Sequence, residues 1–177
     1  MKPTENFNFL ITLKGHKDDN VGEELLGIEE IELALQKDEP TLNIKDSEFP
    51  NVLLIDLSMD PELALDILKK TTTTVISKIV IIDEVVRTRS NIIKEKALQI
   101  ANQKIKPGSS IAVRCDLRGR KYIESKDELI KVISNELLDN LNLEENLVKP
   151  DWVVQIEVIG ENTGISVSKP SDILKKD

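Results

Sequence analysis

Apolar and polar positions change period several times along this chain, and each change marks a predicted element. Phe7 to Leu13 sets Phe7, Phe9, Ile11 and Leu13 against Asn8, Leu10 and Thr12, a period of two that predicts a strand. Asn20 with Glu23 three residues on has the form of a capping box, and Leu25, Ile28 and Leu35 continue a helical stripe that ends before Asp38-Glu39-Pro40. Thr41 to Lys45 reads as a short strand, and the aliphatic run Asn51 to Leu57 as a buried one. Asp60 is placed to cap a helix with Pro61 in its first turn. That helix has an apolar face of Leu63, Ala64, Ile67 and Leu68, with Lys69 and Lys70 near its negative end. Val75 to Ile82 returns as a strand.

The order through Val86 is strand, helix, strand, strand, helix, strand, the split βαβ arrangement of ferredoxin-like domains. After Arg87-Thr88-Arg89 the pattern restarts, with Ser90 as a cap and Ile93, Ala97, Ile100 and Ala101 on one helical stripe up to Pro107-Gly108. From Ser109 the chain alternates: Ile111, Val113, Cys115 and Leu117 fall on one face, Ala112, Arg114, Asp116 and Arg118 on the other. Gly119 breaks this strand. Ser125 with Glu128 opens a helix carrying Leu129, Ile133, Leu137 and Leu141, a loop runs to Pro150, and Trp152 to Val158 alternates again. Gly160-Glu161-Asn162 supplies a turn before Ile165 to Val167, so the last pair is a predicted hairpin, followed by a loosely held tail from Lys169. The expectation is an α/β (α+β) chain of two domains, residues 1–86 ferredoxin-like and 87–177 a second α/β domain.

A length of 177 residues suffices for such a pair to bury most of its apolar surface without disulfide or metal. One cysteine and one histidine, His16, cannot supply the ligand sets of ordinary zinc or iron sites, and no cofactor is expected. Cys115 sits in the apolar row, where a thiol behaves as a small hydrophobe. His16 lies in the polar turn Lys14 to Asp18 and is assigned no role. Gly15 to Gly22 lacks the ending of a phosphate loop, and Glu23 and Glu24 would repel a phosphate. The glutamates from Glu23 to Glu32 read as a solvated helix face rather than an acid-base pair. No apolar run approaches the ~20 residues that span a bilayer, so no membrane is expected and a cytoplasmic location is. Aromatics are only 3% of residues, which disfavours base stacking as the main mode of any nucleic-acid contact.

Charge alters the picture because it is unevenly spread. The whole chain carries −8, yet Met1 to Val85 holds 8 lysines against 18 acids, while Arg87 to Lys126 holds 11 basic residues against three acids, net +8. All five arginines lie in that second stretch. A local basic patch sets the field that an approaching phosphate meets, whatever the whole-chain total. Arg114 and Arg118 share a strand face about 13 Å apart at ~3.3 Å per residue, and Gly119 frees the chain to present Arg120 and Lys121 beyond it. Guanidinium forks suit phosphate because their planar donors bind two oxygens at once. The bland alternative is that Asp116 neutralises part of this row.

The second half resembles the THUMP domain, an RNA-binding module of tRNA-modifying proteins. The likeness rests on the Arg87-Thr-Arg segment before a helix, the run SSIAVRCDLRGRKYIESKDEL from Ser109 to Leu129, and PDWVVQIEVIGENTGISV from Pro150 to Val167. The first half looks like the ferredoxin-like domain that usually precedes that module. The resemblance implies that Arg87, Arg89, Lys94, Arg114, Arg118, Arg120, Lys121 and Lys126 face RNA, with the acceptor stem and 3′ end of tRNA as partner. It further implies a stand-alone, non-catalytic adaptor of archaeal and eukaryotic type, serving a tRNA-modifying enzyme such as a cytidine acetyltransferase that forms N4-acetylcytidine. The competing expectation is a small-molecule-sensing or protein-interaction module.

Overall fold

The computed structural model describes residues 6–15 and 20–176 of the chain. His16 and the side chains of the expected Asn20–Glu23 capping box lie outside the described residues. The chain divides into two compact units, one of Phe7–Ile81 with the residues from Ile173 onward, the other of Ile82–Asp172 together with Asn6.

In the first unit β1 (Phe9–Leu13), α1 (Asn20–Leu35), β2 (Ile44–Asp46), β3 (Val52–Ile55), α2 (Pro61–Lys70) and β4 (Ile76–Ile81) follow one another as the periodicity predicts. The sheet order β4-β1-β3-β2, antiparallel at every pairing, is the ferredoxin-like arrangement. β1 and β3 are central and buried almost throughout, which is why β3 reads as an apolar run and why Leu10, set in the polar row of the β1 alternation, is buried too. Asp60 caps α2 as expected, its carboxylate accepting the Glu62 N–H at 3.1 Å.

The buried stripes of both helices differ from those expected. α1 turns Gly27, Ile31 and Leu35 inward and leaves Leu25 63% exposed. α2 buries Ala64, Leu65 and Leu68, with Leu63 exposed. Each helix carries aliphatic residues at two overlapping three-and-four spacings, so periodicity alone does not pick the inward one. In α1 the choice falls on the stripe with Gly27, which brings the helix close to β1: a Cβ there would lie 2.9 Å from Leu13 Cδ2.

The second unit contains β5 (Glu84–Arg87), α3 (Ser90–Lys104), β6 (Ser110–Arg118), α4 (Lys126–Asn140), β7 (Glu144–Glu145), β8 (Trp152–Ile159) and β9 (Asn162–Ser168), with sheet order β5-β9-β8-β6-β7. The unit begins at Ile82 rather than at Arg87, because Glu84 to Arg87 pair with Ile165 to Asn162 in this sheet and not in the first. β6 and β8 are parallel neighbours, and α4 is the crossover that parallel strands require. One core joins Ile93, Ala97 and Ile100 of α3 with Ile133 and Leu137 of α4 and Val113, Cys115, Ile156 and Ile165 of the sheet. Ser90 is the first helical residue rather than the cap; Arg89 holds the cap position without a side-chain bond. Ser125 does cap α4, accepting the Glu128 N–H at 3.1 Å. β7, within the expected loop, is an edge pairing of Glu144 and Glu145 alongside Ser110 and Ile111. Asn162, placed in the turn by sequence, opens β9 opposite Ile159, so the turn itself is the pair Gly160-Glu161, with Gly160 at φ +60°.

The tail is held, contrary to expectation. After a 3₁₀ turn at Pro170–Asp172, β10 (Leu174–Lys175) pairs with Ile79 and Lys78 at the outer edge of β4. The Lys176 N–H donates to the Ser77 carbonyl at 2.8 Å, and its ammonium donates to the Thr71 carbonyl at 2.6 Å. An extended tail with alternating side chains can satisfy an open sheet edge, which composition does not reveal.

Candidate nucleic-acid interface

One end of the second sheet gathers four chain segments. β6 ends at Arg118 opposite Ile159, the last residue of β8, and the Gly160 N–H donates back to the Arg118 carbonyl at 2.9 Å. β9 starts at Asn162 opposite Arg87, the last residue of β5, and the Thr88 N–H donates to the Glu161 carbonyl at 3.0 Å. The Thr88 and Thr163 hydroxyls share a buried hydrogen bond of 2.8 Å. The Arg87-Thr-Arg segment is thereby fixed beside the β8–β9 turn, and the run Gly119 to Ser125 leaves from the same edge. Gly119 lies at φ +82°, a left-handed conformation that lets the chain turn out of β6 at once.

At this end Arg89 and Lys121 converge on one ring. The Arg89 guanidinium lies 4.2 Å from the Tyr122 ring centroid and the Lys121 ammonium 5.5 Å from it. The Tyr122 hydroxyl donates to Glu161 Oε1 at 3.3 Å, and the Arg89 Nη1 donates to the Thr88 carbonyl at 2.8 Å. Arg87 and Arg120 are exposed on the adjoining segments; Arg120 donates only to the Glu124 carbonyl, at 3.4 Å. Lys126 is exposed in the first turn of α4. Among the described residues none of Arg87, Arg89, Arg120, Lys121 and Lys126 is in an ion pair, so their charge is open to an anion from outside.

The expected arginine row does not hold as one line. Arg118 is only 16% exposed and donates to Glu157 Oε1 at 2.8 Å, while the Glu157 side chain is fully buried. Gln155 Nε2 bonds to the other Glu157 oxygen at 2.8 Å and reaches Asp116 at 3.4 Å. The carboxylate that meets Arg118 thus comes from the neighbouring strand β8, where the parallel register sets Glu157 beside Asp116. Arg114 is half-buried opposite Gln155, on the same sheet face but away from the loop cluster. Lys94 stands 3.8 Å from Glu136 between α3 and α4. The cations therefore divide into an exposed group at the sheet end and a paired or half-buried group, Lys94, Arg114 and Arg118.

Tyr122 and Glu157 were not assigned roles from sequence. Tyr122 is the single tyrosine and follows four residues rich in Arg and Lys, a signal of a ring set among cations. Gln155 and Glu157 interrupt an otherwise apolar strand at a period of two, which marks a polar cluster but not its partner. Cys115 lies in the core row as its alternation indicates, and burial, reinforced by Asp116 and Glu157, pushes its thiol up to about 12. Among the described residues no group of His, Cys, Asp and Glu is arranged to hold a metal, and no helix is long and apolar enough to cross a membrane.

Residues 88–168 match the THUMP domain family, a stretch that takes in both helices, the loop cluster and every strand of the second unit except β5. The fold of nearly the whole chain recurs in solved structures. PH1313 from Pyrococcus horikoshii Ot3 is similar over 93% of this chain and 55% of its own, with a TM-score of 0.72 and 18% identity. A 4-thiouridine synthetase, solved in complex with RNA and with bound ATP, matches over 97% of this chain and 42% of its own, with a TM-score of 0.67 and 19% identity. TrmN from Thermus thermophilus matches over 95% of this chain and 46% of its own, with a TM-score of 0.60 and 17% identity. The chain thus spans roughly half the length of the proteins whose fold it shares. No curated protein matches it significantly by sequence.

Proposed function

We propose that this chain binds tRNA through the exposed cations at the end of its second sheet and presents it to a modifying enzyme, without catalysing the modification itself. The observation that carries the reading is the convergence of Arg87, Arg89, Arg120, Lys121 and Tyr122 from two separate segments onto one edge of a THUMP domain. Such a group supplies phosphate contacts that fix the register of a folded RNA. The RNA-bound state of the 4-thiouridine synthetase of similar fold supports the same ligand class. Cys115, the one thiol, is buried, and burial pushes it up to about 12, so it is not placed to act as a nucleophile. The acceptor stem and 3′ end are the proposed contact region, and N4-acetylation of cytidine the proposed modification.

Filter binding of purified tRNA to the protein across 50 to 300 mM salt tests this. With three to five phosphates neutralised, log affinity falls against log salt with a slope of about −2 to −4.5. A salt-independent affinity overturns the reading.

A further inference from the structure

The first unit carries a groove that the RNA reading does not use. Leu25, Ile28, Glu29, Glu32, Leu33 and Gln36 recur at spacings of three and four, so they share the outward face of α1. Leu25 and Leu33 are 63% and 61% exposed, a large apolar area for a helix whose other face already fills a core. Opposite them the segment Glu39 to Leu42 forms a wall, and the space between is about 370 Å³. That wall is fixed: both Glu39 carboxylate oxygens are engaged, accepting the Ser58 and Met59 N–H groups at 3.0 and 2.9 Å. Glu29 and Glu32 stand exposed along the groove, and among the described residues none that lines it is Lys or Arg.

We infer that this groove docks a cationic amphipathic segment of a partner protein, two apolar side chains entering between Leu25 and Leu33 and Lys or Arg side chains meeting Glu29 and Glu32. Leu25 and Leu33 are separated by ~12 Å along the helix axis, the distance between apolar anchors about two turns apart on an incoming helix. Charge selects the occupant. RNA and anionic lipid are repelled by the two glutamates, and a two-fold pairing with a second copy would bring these acids toward their own equivalents. A basic segment is drawn to them. The inference rests on the adaptor reading and deepens it by assigning the surface that meets the enzyme.

The test uses the full chain and a fluorescein-labelled peptide, LKKLLKLLKKLLKL, with a version in which every Lys is Glu as control. Anisotropy should show the cationic peptide binding at least tenfold more tightly than the acidic one. Glu29→Gln with Glu32→Gln should weaken it at least fivefold, and Leu25→Ser with Leu33→Ser likewise, while tRNA affinity stays within twofold of wild type for both variants. Wild-type peptide affinity in either double variant overturns the groove. So does a concentration-dependent dimer in sedimentation that L25S/L33S dissolves, because a second copy would then be the occupant. Failure of the wild type to bind tRNA, with the peptide results intact, removes the adaptor reading and leaves the groove standing.

Discussion

Both units pack two helices against a sheet around a single core, but they use their charged side chains in opposite ways. In the acidic unit several carboxylates serve the backbone: Glu24 accepts the Asn51 N–H at 2.8 Å, Glu30 accepts the Thr74 N–H at 2.8 Å, Glu39 takes two loop N–H groups and Asp60 caps α2. Each satisfies a donor that a loop or helix end would otherwise leave unpaired. In the second unit the charges sort by depth. Arg118 neutralises a buried acid, whereas Arg87, Arg89, Arg120 and Lys121 stand at the sheet end without an acidic partner among the described residues. The charge of a segment therefore overstates what it offers a ligand. Part of the acid in the first half holds loops together, and part of the base in the second holds a sheet together.

The sharpest way to break this contrast is to treat two neighbouring arginines alike. Arg118→Ala leaves the fully buried Glu157 without its guanidinium, and breaking a buried pair in this way costs about 3 kcal/mol or more. Arg120→Ala removes an exposed side chain and one long bond to a carbonyl, a change within about 0.5 kcal/mol. Urea unfolding should separate the two variants clearly. Equal stability would mean that Arg118 is as available to RNA as Arg120, and the sorting by depth would be lost.

The complementary experiment acts on binding rather than folding. Arg89→Ala combined with Lys121→Ala strips both cations from the Tyr122 ring and should weaken tRNA binding about tenfold, ~1.4 kcal/mol, with a salt slope smaller by between one and two. The urea midpoint should hardly move, since both residues are exposed. If affinity and slope survive, the sheet end is not the phosphate-binding edge.

What the sequence made legible follows from the range of each interaction. Element types emerged because periodicity and capping are local: Asp60 and Ser125 act as caps where their spacing says they should. The alternation from Ile111 to Arg118 likewise assigned Cys115 to the core. The inward faces of α1 and α2 were misread because Leu25 and Leu63 fit a helical stripe as well as Ile31 and Leu65 do, and only the sheet beneath decides between them. The strand Glu84–Arg87 followed β4 in sequence yet joined the other sheet, since pairing with β9 is a contact across more than seventy residues. The Arg118–Glu157 pair was invisible for the same reason. A row of arginines can be counted in a sequence, but whether each is answered by an acid depends on strand register.

The smallest of these effects is a pH dependence confined to one unit. Cys115 is the single cysteine, and it lies in the core of the second unit with its thiol raised from 9.0 to about 12, chiefly by burial. In the unfolded chain the thiol ionises near 9, whereas the folded protein keeps its proton until about 12. The unfolded state therefore binds fewer protons in that window, so the contribution is fully present below pH 9 and is lost as pH rises through about 12. By pH 10 the loss amounts to about 1 kcal/mol relative to pH 8. Cys115→Ala should be less stable at pH 8 because it leaves a small cavity, yet it should lose less stability than wild type between pH 8 and 10, the difference isolating the thiol. Amide exchange over the same range should show the added opening in α3, α4 and β6 while β1, β3 and β4 stay protected, because the first unit holds no thiol. Equal pH slopes for the two proteins would mean that Cys115 is open to solvent, and that the alternation along β6 does not divide core from surface.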